Sequence, residues 1–216
     1  METPETDKLQ QAEQQAGSIA ERIKNNSRLI VALSIFIFVV LVGIMVWFFV
    51  AQNGSRKADE AVAKADMEQN DSIAMTLYKE AAEHGYKSGN RAKVEMGIRL
   101  YQQGKYQEAL DYLKDADMDD NIVASGVYTL TGDCYVNLKQ YDDALSAYKK
   151  AVSAADENPT IVPTVLLKEA NVYREQKNYA AEAEAYKTIL DEYPAYTRGS
   201  QIDIRKYYER AKASAK

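Results

Sequence analysis

The chain has 216 residues, a formal net charge of −5, one cysteine and one histidine. This mildly acidic balance argues against a nucleic-acid binder, because such proteins need a cationic surface to displace the counterions around phosphate. A single cysteine, Cys134, allows no intramolecular disulfide, so packing alone must hold the fold together.

The N-terminal part of the chain changes abruptly from polar to apolar. Residues 1–28 are polar and are predicted to form a tail, whereas residues 29–51 contain no charged side chain. As a helix, the apolar segment would span about 34 Å, enough to cross a bilayer core of about 30 Å. The competing interpretation, a cleaved signal peptide, would need a shorter apolar core and a small-residue cleavage site. We therefore predict one transmembrane helix over 29–51, in contact with the lipid bilayer.

The charged residues beside this segment leave its orientation open. Three basic residues flank it closely on each side: Arg22, Lys24 and Arg28 before it, and Arg56, Lys57 and Lys64 after it. The positive-inside count is therefore level. Because Lys24 and Arg28 lie close to the apolar segment, we expect the tail inside the cell and the large domain outside.

An internal repeat occupies the rest of the chain. Aligning GIRLYQQGKYQEALDYLKDA with GDCYVNLKQYDDALSAYKKA places Gly97 on Gly132 and Ala109 on Ala144, in each case 35 residues apart. A further copy follows 38 residues later, and a degenerate first copy begins near Ser55. Small residues at these positions let two antiparallel helices approach closely. Since no helix pair can bury its apolar face alone, the copies must stack.

These residues resemble the tetratricopeptide repeat family, and the copy from Ser125 carries the fullest set: Tyr128, Gly132, Tyr135, Ala144, Tyr148 and Ala151. The resemblance implies an all-α fold, in which the N-terminal transmembrane helix precedes an α-solenoid of about four helix pairs and a C-terminal capping helix. We place this domain at 55–213, with repeats at 55–89, 90–124, 125–162 and 163–196 and the capping helix at 199–213. Glu182 stands where the earlier copies have alanine, so we expect looser packing in the last copy.

The resemblance also implies a partner-binding groove, lined in this family by the first helix of each repeat. Twelve residues take the groove positions: Val94, Ile98, Tyr101, Gln102, Thr129, Asp133, Val136, Asn137, Leu167, Asn171, Arg174 and Glu175. Too few basic residues converge there for a clamp on a peptide's C-terminal carboxylate. The alternative is that these side chains only solvate the inner face and that binding occurs elsewhere. The acidic loop that contains Asp115, Asp117, Asp119 and Asp120 is interpreted as solvated, and the alternative is that it attracts a basic partner.

The sequence contains no residue pattern that is typical of a catalytic site. His84 is expected to cap a helix end, and Cys134 is expected to be a small buried thiol. The adjacent carboxylates of Asp142 and Asp143 diverge on a helix. No glycine-rich phosphate loop or metal-ligand cluster is present in the sequence. We predict a protein that is not an enzyme and needs no cofactor.

The layout of tail, single span and repeats resembles bacterial envelope proteins of the ancillary SecYEG translocon subunit type. That resemblance implies a bacterial inner-membrane protein with a cytoplasmic N-terminus and periplasmic repeats. Its partners would be translocon subunits, secretory chains or periplasmic chaperones, and nucleic acid would not be among them. The alternative is a structural scaffold of an envelope assembly, such as a division or outer-membrane biogenesis complex. A third alternative is a homo-oligomer, paired through the span or through the terminal repeats.

Overall fold

A computed structural model describes residues 27–84 and 86–216. Most of the predicted tail, residues 1–26, lies outside the described residues, and so do Arg22 and Lys24. The described part is entirely helical, which confirms the predicted all-α class. The chain divides into two compact units, residues 1–53 and 54–216, which are described separately.

Ten helices are present in the described ranges. In chain order they are α1 Ser27–Met67, α2 Asp71–Ala82, α3 Tyr86–Gln102, α4 Tyr106–Lys114, α5 Asn121–Asn137, α6 Tyr141–Ala154, α7 Ile161–Glu175, α8 Tyr179–Glu192, α9 Pro194–Gly199 and α10 Ile204–Ser214.

The apolar segment of the first unit lies within α1, which does not stop at residue 51 as predicted. It continues through Asn53, Gly54 and Ser55 to Met67, because a single glycine costs a helix only about 1 kcal/mol. From Val31 to Val50 every side chain is exposed. In the described part of the chain, α1 is the helix that is long and apolar enough to cross a membrane.

In the second unit, successive helices pair through turns that repeat the same backbone geometry. Gly104, Lys139 and Lys177 occupy equivalent turn positions and all have φ between 59° and 75°. The next residue in each turn donates its N–H to a carbonyl five residues earlier, at 2.8 to 2.9 Å. This pattern closes a helix with one left-handed residue, a conformation that costs glycine nothing and lysine about 1 kcal/mol. The same turn conformation therefore recurs at the spacing of the sequence repeat.

The paired helices approach closely at the small residues of the repeat. Ala109 and Ala144 are fully buried. A Cβ on Gly97 would overlap the side chain of Leu113, and a Cβ on Gly132 would overlap the ring of Tyr148. The small residues therefore make room for the large side chains of the partner helix.

The predicted repeat boundaries at 90, 125 and 163 fall inside α3, α5 and α7. A side-chain cap explains the earlier helix start at one of them. Asp120, the N-cap of α5, accepts hydrogen bonds from the N–H groups of Ile122 and Val123. Before α7, Asn158 accepts from the N–H groups of Thr160 and Ile161 in the turn that leads into the helix. A capped N-terminus fixes where the first turn begins, whatever the spacing of the apolar residues.

The C-terminal helix begins later than the predicted 199, because α9 ends at Gly199 and a short connection precedes α10. Asp203 caps α10 by accepting from the N–H of Lys206 at 3.0 Å. Ile204 and Ala211 of α10 are fully buried in a cluster with Tyr186 and Ile189 of α8. This helix covers the apolar face that the last repeat would otherwise expose.

Glu182 is fully buried beneath α10. The last repeat is therefore closely packed at this position, contrary to the looser packing that we expected. Its Oε1 accepts a hydrogen bond from Arg210 Nη2 of α10 at 2.6 Å, and its Oε2 has no partner. Arg210 lies 4.9 Å from the centroid of the Tyr207 ring, which stacks on Tyr186. An ion pair therefore replaces the alanine packing of the earlier repeats at this position.

Candidate functional site

The twelve predicted groove residues lie on α3, α5 and α7, the first helices of three successive pairs. None of them is buried, so each leaves part of its side chain accessible. Gln102, Asn137, Asn171 and Glu175 are exposed and the other eight are half-buried. Their exposure is compatible with a binding face but does not by itself show one.

Five of the twelve residues meet in one pocket between α5 and α7, with a volume of about 460 Å³. These five are Asp133, Val136, Asn171, Arg174 and Glu175. The prediction missed four further lining residues: Tyr141, Tyr148, Lys168 and Val172. Lys168 lies one turn before Asn171 on α7, and that helical spacing was the signal that could have identified it.

Asp133 is the centre of a polar network that joins three helices. Its Oδ1 accepts a hydrogen bond from the Tyr148 hydroxyl of α6 at 2.7 Å. Lys168 of α7 donates to both carboxylate oxygens, at 2.8 and 2.9 Å. These bonds link the third helix pair to the fourth and compensate the charge of Asp133. The residue therefore shapes the pocket wall and is not a free anion for a partner.

The tyrosines around Asp133 are held in their neutral form. Burial raises the pKa of Tyr148, and the hydrogen bond to Asp133 raises it further. Burial and then the charge of Asp133 also raise the pKa of Tyr101, while the side chain of Asn137 acts in the opposite direction. Tyr101 of α3 is thus within electrostatic reach of α5. Both phenols remain hydrogen-bond donors at neutral pH.

Three polar side chains of the pocket remain available to a ligand. Arg174 and Glu175 take part in no ion pair with other described residues, and Asn171 is exposed beside them. The apolar floor comes from Val136 and Val172. An open pocket with apolar walls and separated donors and acceptors suits a peptide segment, whose backbone needs both.

Other predicted positions do not line this pocket. Val94 packs against the core formed by α1 to α5, and Leu167 packs against the C-terminal cluster. The hydroxyl of Thr129 donates to the carbonyl of Ser125 in its own helix. The ring of Tyr101 contacts that of Tyr106 edge to face, with centroids 5.4 Å apart. The pocket is therefore confined to the third and fourth helix pairs.

The reactive side chains of the described region include the thiol of Cys134 and a number of carboxylates. Cys134 is fully buried, and burial raises the pKa of its thiol to about 11, with a further contribution from Asp133. A thiol of that pKa carries almost no thiolate at neutral pH and is a poor nucleophile. Among the described residues, no three His, Cys, Asp or Glu side chains are grouped to hold a metal ion.

Comparison with protein families identifies the helix pairs. Residues 100–162 match one tetratricopeptide repeat model and residues 132–197 match a second. The two matches together span residues 100–197, which are similar to tetratricopeptide repeats. Such repeats act as protein–protein interaction modules and are typically non-enzymatic. A search of curated protein sequences returned no match.

Solved structures with a similar fold are distant in sequence. Two crystal structures of MamA are 17% identical, with TM-scores of 0.48; the alignments cover 76% and 73% of this chain and 91% and 93% of theirs. Aspartyl phosphate phosphatase F from Bacillus subtilis is 17% identical with a TM-score of 0.50, over 81% of this chain and 52% of that protein. Identity at this level concerns the fold and not the activity.

Proposed function

We propose that the chain is a membrane-anchored interaction module that binds a segment of another protein along α3, α5 and α7. The observation that carries this proposal is the pocket between α5 and α7, where Asn171, Arg174 and Glu175 remain available beside an apolar floor. The apolar segment of α1 supplies the anchor. Its exposed apolar side chains are unfavourable in water and favourable in the hydrocarbon core of a bilayer.

Within this proposal, the specific role is that of an ancillary factor at the Sec translocon. The support is the layout of tail, span and repeats, which resembles the ancillary SecYEG subunit type. Such a factor would stand in the bacterial inner membrane with its repeats in the periplasm. It would pass exported chains from the translocon to envelope chaperones. Transient binding of many different chains fits a pocket that is open to solvent and keeps unpaired polar side chains.

The second candidate function is a scaffold of an envelope assembly, such as a division or outer-membrane biogenesis complex. The Asp133–Lys168 ion pair favours it, because this bond fixes one helix pair against the next. A rigid stack suits one fixed partner, whereas a transient binder profits from adaptable contacts. The two functions therefore differ in the number and stoichiometry of their partners.

Photo-crosslinking from the pocket tests the proposal. A photoreactive residue is placed at Asn171, which is exposed in the pocket, and the matched control is placed at Glu184, which is exposed on α8 outside it. Capture of translocon subunits, secretory chains or periplasmic chaperones at Asn171 alone supports the translocon role. Capture of one envelope protein in fixed stoichiometry favours the scaffold. Capture of cytoplasmic proteins overturns the orientation, and equal capture from both positions overturns the pocket as the binding site.

A further inference from the structure

A second groove lies between α4 and α6, outside the predicted partner-binding face. Its floor is one face of α5, formed by Tyr128, Thr131 and Tyr135 at the i, i+3 and i+7 positions. Leu113 and Ala147 line its walls, and its volume is about 400 Å³. We call this site the tyrosine groove. None of its residues belongs to the twelve predicted groove positions.

Two lysines border the tyrosine groove, and each lies over one of its aromatic rings. Lys114 Nζ is 5.1 Å from the centroid of Tyr135, and Lys150 Nζ is 5.9 Å from that of Tyr128. Both lysines are exposed, and neither forms an ion pair with another described residue. The contacts with the rings hold the ammonium groups at the groove without neutralising them.

The acidic residues around the groove lie beside Lys114. Asp111 on α4 and Asp143, which lines the groove, both act on Lys114, but neither lies within ion-pair distance of it. In the neighbouring acidic loop, Asp120 caps α5 and Asp119 contacts Lys87 at 3.6 Å. Lys150, at the Tyr128 end, lies seven residues after Asp143 on α6, about 10 Å along the helix, and forms no ion pair with a described residue. The carboxylates therefore lie closer to the Lys114 end of the groove than to the Lys150 end.

The spacing of the two rings sets the spacing of the charges that the groove accepts. Tyr128 and Tyr135 are seven residues apart on α5, which corresponds to about 10 Å along the helix. Side chains three residues apart in an extended chain are also about 10 Å apart and point to opposite sides, which suits two lysines on the opposite walls formed by α4 and α6. An extended segment of four residues therefore spans the distance between the two rings.

We propose that the tyrosine groove binds an extended segment of a partner protein that carries two acidic residues three positions apart. One carboxylate contacts Lys150 and the other contacts Lys114, while the residues between them pack on Leu113, Thr131 and Ala147. The Tyr128 and Tyr135 hydroxyls and Ser146 donate further hydrogen bonds. This site does not depend on the pocket between α5 and α7, so the chain can hold two partners, or two segments of one partner, at once.

The test measures binding of a defined peptide to the full chain in detergent micelles. The probe is fluorescein-labelled Gly-Glu-Leu-Ala-Glu-Gly, and its matched control has glutamine in place of both glutamates. We expect saturable binding with a dissociation constant below about 1 mM, detected by fluorescence anisotropy. The control peptide should bind at least about tenfold more weakly. Added salt should weaken the binding of the acidic peptide, because it screens the attraction between the glutamates and the lysines.

Matched variants locate the site. Lys114→Gln and Lys150→Gln should each weaken binding by roughly two- to fivefold, whereas Lys149→Gln, on the exposed residue beside Lys150, should leave it unchanged. Ser146→Glu adds a repelling charge at the groove and should abolish binding, while Ser153→Glu, exposed on α6 outside the groove, should not. All five substitutions are at exposed positions, so circular dichroism should show an intact fold.

Several outcomes overturn the proposal. The first is no saturable binding at about 1 mM peptide, and the second is equal binding of the two peptides. The third is a Lys149→Gln effect as large as that of Lys150→Gln. Displacement of the peptide by an equal concentration of inorganic phosphate would reveal a general anion site. Peptide-sensitive dimerisation in sedimentation experiments would show that the occupant is the acidic loop of a second copy.

Discussion

Gly132 of α5 is the point where Tyr148 of α6 packs directly on the helix backbone. A Cβ there would lie less than 3.0 Å from three atoms of the tyrosine ring. The ring cannot move aside, because it is buried and its hydroxyl is bound to Asp133. We expect Gly132→Ala to lower the free energy of unfolding by about 1–3 kcal/mol. Urea unfolding of the full chain in micelles, followed by circular dichroism, measures this change.

Gly126 provides the matched control on the same helix. No atom lies within 4 Å of a Cβ added at that position. Gly126→Ala should therefore raise the free energy of unfolding by about 0.5–1 kcal/mol through helix propensity alone. The contrast in sign is the diagnostic result, and a stabilising Gly132→Ala would contradict the close approach of α5 and α6.

Glu169 of α7 is a buried carboxyl group with an unusual titration. Burial raises its pKa from 4.5 to about 7, although Lys149 acts in the opposite direction. A pKa that is higher in the folded state stabilises the fold at low pH, and this stabilisation is lost as the pH rises through about 7. Glu169→Gln removes the titration. Relative to wild type, the variant should gain about 1–3 kcal/mol of unfolding free energy between pH 4.5 and pH 8.

Unfolding curves at several pH values test this expectation, with Glu175→Gln as the control at an exposed position of the same helix. The control should run parallel to wild type over the whole range. If the Glu169 variant also runs parallel to wild type, the carboxyl group is not buried as the structure describes.

Between whole helices, the Arg210–Glu182 ion pair fixes the position of α10 on α8. Arg210→Met leaves a buried carboxylate without a counter-ion and should cost about 3 kcal/mol or more. Glu182→Ala restores the residue type that Ala109 and Ala144 provide in the earlier repeats, and should cost less. The double variant should be more stable than Arg210→Met alone. A double-mutant cycle of unfolding free energies measures the coupling, and additive single effects would contradict a specific pair.

The same helices show what the sequence could and could not predict. The resemblance to the tetratricopeptide repeat family implied a binding face on the first helix of each pair, whereas the spacing of 35 and 38 residues predicted paired helices and close contacts at Gly97 and Gly132. It could not predict that Asp133 meets Lys168 or that Glu182 meets Arg210. The repeat spacing indicates which helices are neighbours. The polar contacts between these helices depend on side-chain conformations, which the spacing does not specify.

For the whole molecule, the decisive property is the exposed apolar surface of α1 from Val31 to Val50. An apolar patch of this extent is not stable in water, which favours insertion into a bilayer. We expect the full chain to stay with membranes after alkaline extraction. Val39→Arg combined with Val42→Arg should release it, because each central charge costs about 2.5–3.5 kcal/mol on insertion.

The control is Ser55→Arg, which lies on the same helix but beyond the apolar segment and should leave extraction unchanged. The intact mass of the membrane-bound chain separates an anchor from a signal peptide. A chain that retains residues 1–51 is held by α1 itself. A shortened chain that washes off the membrane would contradict anchoring, and the repeats would then act without the membrane helix that the proposed function requires.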